Sequence, residues 1–307
     1  MRIVALSGGV GGARFLRGLV RAADPVDVTV VGNVGDDVEV LGMHVSPDLD
    51  SILYALAGVS DDERGWGRAD ESWAAFEEAS RLGGESWFQL GDRDLGLHLV
   101  RTQRLAGGEP LSAVTADLTR AFGVEAKLLP ATDDRLRTWI DTPDGSLPFQ
   151  EWFVARRHRD DVDRVRFEGE DEAQPAPGVL EAIEQAELIV ICPSNPFVSI
   201  WPILAVAEIR AAVERRRVPS VAVSPLIGGR AIKGPADRML ERLAGGTAPV
   251  RVAGCYPDLI DVLVFDESDA DGAAAVEHEG LRAVPVPTLM HDLGAATALA
   301  EAVLAGV

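Results

Sequence analysis

The chain has 307 residues, 47% of them hydrophobic, with 31 glycines and 18 prolines, enough for one large α/β domain or a core carrying an insert. A formal charge of −20 argues against a nucleic-acid partner, because a phosphate backbone needs basic stripes; a phosphorylated small molecule held through a local cation or metal stays open. Cys192 and Cys255 lack metal spacing and argue for a reducing cytoplasm, no apolar run reaches the roughly 18 residues of a membrane span, and no secretory leader pattern precedes the first strand.

Ile3 to Leu6 read as a buried strand ending in Ser7-Gly8-Gly9-Val10-Gly11-Gly12. Phe15, Leu16, Leu19 and Val20 then fall on one face of a helix. A strand turning through glycines into a helix leaves backbone N–H groups free, with no Cβ to keep an anion away. The run is not the dinucleotide fingerprint, since Arg14 stands where the third glycine would fall. It is not a Walker loop, since no Gly-Lys-Ser/Thr follows. Taken alone it favours phosphate binding only modestly over a tight turn that needs small residues for packing.

Val26 to Val31 form a second strand, ending at Gly32-Asn33-Val34-Gly35-Asp36-Asp37. Strand, helix, strand is a βαβ start and predicts a parallel sheet. Ser46-Pro47-Asp48-Leu49-Asp50 opens a short helix carrying Ile52, Leu53 and Leu56. Residues 58–85 are charged, with Trp66 and Trp73, and read as loops with one amphipathic helix. Leu90-Gly91-Asp92-Arg93-Asp94 precedes two further helical stretches, and Glu125 to Pro130 read as a strand. Asp144-Gly145 marks a hairpin turn, with Phe149 to Phe153 as its second arm; residues 160–178 read as a connection back to the core. Ala186 to Ile191 and Ser220 to Ser224 are buried strands that end in Cys192-Pro193-Ser194-Asn195-Pro196 and Pro225-Leu226-Ile227-Gly228-Gly229. Val262 to Phe265 and Ala283 to Val286 close the sheet, before a helix over 295–303. The predicted fold is α/β: a doubly wound, mostly parallel Rossmann-like sheet over 1–57 plus 180–307, interrupted by a mainly helical insert over 58–179.

In such sheets ligands bind outside the carboxyl ends of the strands, where all of these motifs fall. Glycines 8, 9, 11 and 12, Asn33, Ser194, Asn195, Gly228 and Gly229 gathered at one edge suit a nucleotide diphosphate. Ser194 or Asn195 taken singly could equally cap the following helix. Asp48 and Asp50 either favour the dipole of their helix or hold a hard cation such as Mg²⁺, which takes one or two carboxylates plus phosphates. Arg93 reads as a surface ion pair or a site residue, and Lys233 as a solvated lysine or a charge near a phosphate. The five histidines show no ligand spacing, and Cys192 reads as a buried, inert thiol.

Read together, Ser7 to Gly12, Asn33 to Asp37, Ser46 to Asp50, Leu90 to Asp94, Pro193 to Pro196 and Ser224 to Gly229 strongly resemble the 2-phospho-L-lactate transferase family of coenzyme F-420 biosynthesis. Phe149-Gln150-Glu151-Trp152-Phe153 and Leu289-Met290-His291-Asp292 extend the likeness along the chain; Val10 departs from it, since many relatives have Thr there. The resemblance implies transfer of a phosphorylated three-carbon acid from a guanosine diphospho donor to the ribityl hydroxyl of 7,8-didemethyl-8-hydroxy-5-deazariboflavin, with Mg²⁺ and release of GMP. It implies that Asp50 and Arg93 meet the deazaflavin, that Asp50 and Asp48 hold the metal, and that the insert contributes to the acceptor site. The glycines, Asn33, Ser194, Asn195, Gly228, Gly229 and Lys233 would surround the donor, in a cytoplasmic homodimer with no membrane partner. An arginine-rich, lysine-poor composition leans towards the actinobacterial, phosphoenolpyruvyl branch. A rival resemblance is to the gluconeogenesis-factor regulators, which bind nucleotide sugars; they share the glycine and Pro-Ser-Asn-Pro loops but should lack the Leu90 to Asp94 stretch. An NAD-dependent dehydrogenase is disfavoured by Arg14 and by Gly32-Asn33 where the ribose-binding acid belongs.

Overall fold

Strands of uninterrupted aliphatic residues need cover on both faces, which only helices on either side of a parallel sheet provide. The computed structural model, which describes residues 1–306, has this arrangement. Seven strands form its central sheet: β1 (Ile3–Ser7), β2 (Val28–Gly32), β3 (Lys127–Pro130), β4 (Leu188–Ile191), β5 (Ser220–Val223), β6 (Val262–Asp266) and β7 (Arg282–Val286). Their order is β7-β6-β5-β4-β1-β2-β3, with every pairing parallel. After β1 the chain winds one way, and after β4 it winds the other. The switch point therefore lies between β1 and β4, where an open α/β sheet leaves its crevice.

Register places the motifs at one edge. Ser7 lies opposite Gly32, and Leu6 opposite Ile191, so the loops leaving β1, β2 and β4 start at nearly the same height. The glycine helix Gly9–Ala22 buries Phe15, Leu16 and Leu19, each worth roughly 1.5–3 kcal/mol of transfer from water. Its back is clamped by the C-terminal helix Leu293–Ala305: a Cβ at Gly18 would lie 2.1 Å from the carbonyl oxygen of Ala296.

Three details depart from the sequence expectation. The strand Lys127–Pro130 pairs with β2, so part of the 58–179 stretch belongs to the core sheet rather than to the insert. The hairpin's second arm is Gly145–Pro148, and Phe149 to Ala155 turn into helix instead. Within 160–178, Arg164–Glu168 is a strand against Arg137–Thr142, completing a three-stranded antiparallel sheet. Otherwise the insert is built from helices Ala74–Arg81, Asp92–Ala106 and Leu111–Ala121. No single helix among the described residues is long and apolar enough to cross a membrane.

Candidate active site

At the switch point the turns after β1 and β4 touch. A Cβ at Gly11 would lie 2.5 Å from the Pro193 carbonyl oxygen. One at Gly12 would lie 2.4 Å from Ser7 Oγ and 2.5 Å from Ser194 Oγ. Ser194 Oγ donates to the Gly8 carbonyl at 2.7 Å and sits 3.4 Å from the Gly8 N–H. Gly9 adopts φ +68°, a left-handed conformation that suits glycine. The helix that follows has no acid in its own first turn, and the carboxylate at its N-terminus comes from Asp48, which accepts from the Gly9 N–H.

Facing this turn is a buried acidic cluster. Asn33 Nδ2 donates to Asp36 Oδ1 at 2.5 Å, Asp48 Oδ2 at 2.9 Å and the Val198 carbonyl at 3.1 Å. The Asn33 carbonyl accepts from the Gly35 N–H at 2.7 Å, which fixes the amide's orientation. Asp36, Asp37 and Asp48 are all buried. Burial, reinforced by the charges of Asp48 and Asp37, pushes the Asp36 carboxyl well above the usual carboxylate range. Burial lifts Asp48 to about 6, against the hydrogen bonds from Asn33 and the Gly9 backbone. A short hairpin (Val38–Val40 and Met43–Val45) returns His44 and Ser46 to Asp37, whose Oδ2 lies 2.9 Å from each. Asp37 Oδ1 is buried without a partner.

Asp48 and Asp50 meet different partners. They stand two apart on helix Pro47–Leu56 and point different ways. Asp48 Oδ2 borders the glycine turn, 2.4 Å from where a Gly8 Cβ would be. Asp50 is closed by a bidentate ion pair with Arg101, through Nη1 at 2.9 Å and through Nη2. Of the expected metal residues, Asp50 has both oxygens engaged by Arg101, while Asp37, beside Asp48, carries a buried carboxylate oxygen without a partner. Hard carboxylate oxygens, an orphaned Asp37 oxygen and the charge on Asp48 suit a divalent cation that takes its remaining ligands from phosphate and water. Among the described residues no three His, Cys, Asp or Glu side chains form a metal-holding group without such help.

The remaining expected residues separate. Arg93 is exposed at the start of helix Asp92–Ala106, with its backbone N–H held by Glu71 Oε2 at 2.8 Å. Asn195 serves as a cap, its side-chain oxygen accepting from the Phe197 N–H at 3.0 Å. Gly228 and Gly229, at φ +57° and +68°, form the turn between Leu226–Ile227 and Arg230–Ala231, and the Gly229 N–H is already taken by Asp269. Lys233 Nζ donates to the Arg64 carbonyl at 3.3 Å, across the mouth of the crevice. Burial pushes the Cys192 thiol up to about 12, as an inert cysteine should be.

Against this geometry the comparisons with known proteins fall into line. The family model of 2-phospho-L-lactate transferase CofD matches residues 3–300. The chain belongs to this transferase family. It is 46% identical over 312 residues to a phosphoenolpyruvate transferase of Kitasatospora aureofaciens, covering 99% of this chain and 97% of that protein. It is 44% identical to the phosphoenolpyruvate transferase of Streptomyces griseus subsp. griseus (99% and 98% covered) and 38% identical to that of a Mycobacterium species (100% and 98%). Among solved structures, a member of the UPF0052 family from Bacillus halodurans shares the fold, with a TM-score of 0.64 at 20% identity over 99% of this chain and 98% of that one.

Beside Asp50 lie His98 and Arg101, which the sequence analysis does not single out, together with Asp94 of the Leu90 to Asp94 stretch. Asp94, His98 and Arg101 recur at helical spacing with Leu97 on the buried face of Asp92–Ala106. His98 Nδ1 lies 3.4 Å from Arg101 Nη1 and 3.8 Å from Asp50, and burial pushes it down to about 4, so it is neutral. Tyr54 donates to Asp94 Oδ1 at 2.5 Å, and burial lifts Asp94 to about 6. A titratable residue every turn on the face that should be apolar was the available signal.

Proposed function

We propose that the protein transfers a phosphoenolpyruvyl group from a guanosine diphospho donor to the ribityl hydroxyl of the deazaflavin, releasing GMP on the route to coenzyme F-420. The observation that carries this reading is the glycine helix aimed across the switch point at the Asp36–Asp37–Asp48 cluster. The backbone N–H groups at the start of this helix suit a diphosphate. The carboxylate of Asp48 at the same mouth would repel it, and Mg²⁺ held by Asp48 and Asp37 would neutralise that charge and the phosphate's. Full-length relatives named phosphoenolpyruvate transferase favour the enolpyruvyl donor.

The chain's own residues then have distinct tasks. The glycine N–H groups bind the phosphates, and Ser194, bonded to Gly8, fixes the turn that presents them. The hydroxyl oxygen of the acceptor attacks the phosphorus bearing the three-carbon acid, the phosphoanhydride bond to GMP breaks, and the hydroxyl proton passes to solvent or a carboxylate. Asp50, paired with Arg101, accepts a hydrogen bond that orients this hydroxyl. Arg93 lies free at the rim to meet the acceptor.

Mass spectrometry of purified protein with the deazaflavin, Mg²⁺ and each guanosine donor separately tests this. Product and GMP from the enolpyruvyl donor are expected. Product only from the lactyl donor would overturn the donor assignment. No product from either, with nucleotide-sugar binding instead, would replace the transferase by the regulator.

A further inference from the structure

The loop over 59–69 spends many bonds on holding one tryptophan outward. Gly65 and Gly67, at φ +77° and +71°, flank Trp66, which is 40% exposed. Asp61 accepts from the Arg64 N–H at 2.7 Å, and the Gly65 N–H donates to the Asp61 carbonyl at 2.8 Å. The Asp61 N–H donates to the Gly67 carbonyl at 3.0 Å, and the Ala69 N–H to Val59 at 2.8 Å. The Arg64 guanidinium lies 4.9 Å from the Trp66 ring centre and 4.8 Å from that of Trp73, and the two rings meet edge to face. Lys233, from the far rim, anchors the same turn. An exposed indole already fixed in place loses little entropy when a ring stacks on it.

Trp66 lines a cleft that starts at Val10 in the glycine turn and runs between Arg14, Arg17, Ser51 and Asp62. We propose that Trp66 is the stacking platform for the planar deazaflavin ring of the acceptor, and so a specificity-determining residue of the transferase. The inference rests on the function proposed above. Two observations favour the acceptor over the donor's guanine. The charged groups around the cleft are already engaged within the protein, Arg17 by Asp62 at 2.6 Å, Asp61 by Arg64 and Arg14 by the Met290 carbonyl at 3.2 Å, so none is left over for a nucleotide's phosphates. The cleft is also on the insert side: a Cβ at Gly67 would lie 3.7 Å from Asp94 Oδ2, on the helix that carries Arg93.

The test compares wild type with Trp66→Leu and Trp66→Phe. It measures KM and kcat for the deazaflavin, deazaflavin binding by its own fluorescence, and GDP binding, with a thermal melt as a folding control. The expected result is a roughly tenfold or greater rise in the deazaflavin KM and Kd for Trp66→Leu. Trp66→Phe should recover most of the loss, with GDP affinity and kcat nearly unchanged. Weakened GDP binding with unchanged deazaflavin binding would overturn the assignment in favour of guanine. No change in either ligand, with wild type turning over, would make Trp66 an ordinary surface residue. If wild type itself neither binds nor converts the deazaflavin, the proposed function fails, and this inference with it.

Discussion

Two regions side by side at one edge of the sheet are built on opposite principles. The rim between β1 and β4 works with backbone and small side chains: Gly8, Gly11 and Gly12 approach Asp48, Pro193 and Ser194 so closely that no Cβ fits. The pocket between β2 and the insert works with buried charge: Asp36, Asp37, Asp48, Asp50 and Asp94 face one buried Arg101 and a neutral His98. Shape limits the first region, and charge balance the second. A substitution in each should therefore fail for a different physical reason.

The largest effect is expected at Arg101, which is 1% exposed and holds Asp50 in a two-pronged ion pair. Arg101→Met leaves a buried carboxylate unpaired and should cost about 3–5 kcal/mol in denaturant unfolding. The double variant Asp50→Asn/Arg101→Met should regain much of that stability but no activity, since the orienting carboxylate is gone. A single variant as stable as wild type would show that charge balance does not govern this pocket.

Asp94 tests the same pocket with the opposite sign. Its folded carboxyl sits at about 6, above the usual 3.8, chiefly through burial. The stability tied to its proton is thus complete below the unfolded value and is lost as pH rises through about 6. Asp94→Asn can still accept from Tyr54 and escapes that loss, so it should be about 2 kcal/mol more stable than wild type at pH 8. The gain should fade as the pH is taken from about 6 towards 4 in paired melts. Burial depresses His98 to about 4, so its own contribution falls as pH drops from 6.5 to 4, with the same slope in both proteins. A gain that ignores pH would point to packing instead.

This contrast also sets what the sequence could reveal. The rim was legible because its signals are local: an apolar strand, a glycine run and an amphipathic helix within the first twenty residues. The parallel pairing follows from the same alternation of strand and helix. The pocket was not, because its pairings span distance: Asp50 and Arg101 are 51 residues apart, and Asp36 meets Gln150 across 114. Nothing near Asp50 announces its partner, so Arg101 is not legible from the sequence. The edge strand Lys127–Pro130 was seen as a strand but placed in the insert, because only pairing with β2 reveals which sheet it joins. Gly228 and Gly229 show the converse, since a turn and a ligand loop use the same glycines.

On the rim, Gly11→Ala isolates shape. The added methyl carbon would lie 2.5 Å from the Pro193 carbonyl oxygen, a backbone atom that cannot rotate away. The two loops must separate, turning the helix N-terminus off the phosphates. GDP affinity in calorimetry should fall about tenfold, or 1.4 kcal/mol. Gly18→Ala is the control: it meets the Ala296 backbone at the far side of the same helix, so it should lower the melting temperature while folded protein keeps its GDP affinity. Equal losses of affinity in both would mean that the helix responds as one rigid unit and that the rim has no local shape requirement.

The smallest change in stability is expected at Arg93, and there the two principles part from function altogether. Its side chain is exposed and makes no hydrogen bond or ion pair among the described residues, while the backbone N–H that Glu71 holds survives any substitution. Arg93→Ala should move unfolding free energy by no more than about 0.5 kcal/mol. If Arg93 meets the acceptor, the same change should raise the deazaflavin KM or lower kcat at least tenfold, with Arg93→Lys recovering part of it as a point charge without the fork. A helix whose buried face balances charge would then present, one turn away on its exposed face, a cation kept for substrate. Unchanged kinetics in Arg93→Ala would remove the insert helix from acceptor recognition and leave that task to Asp50 and the tryptophan loop.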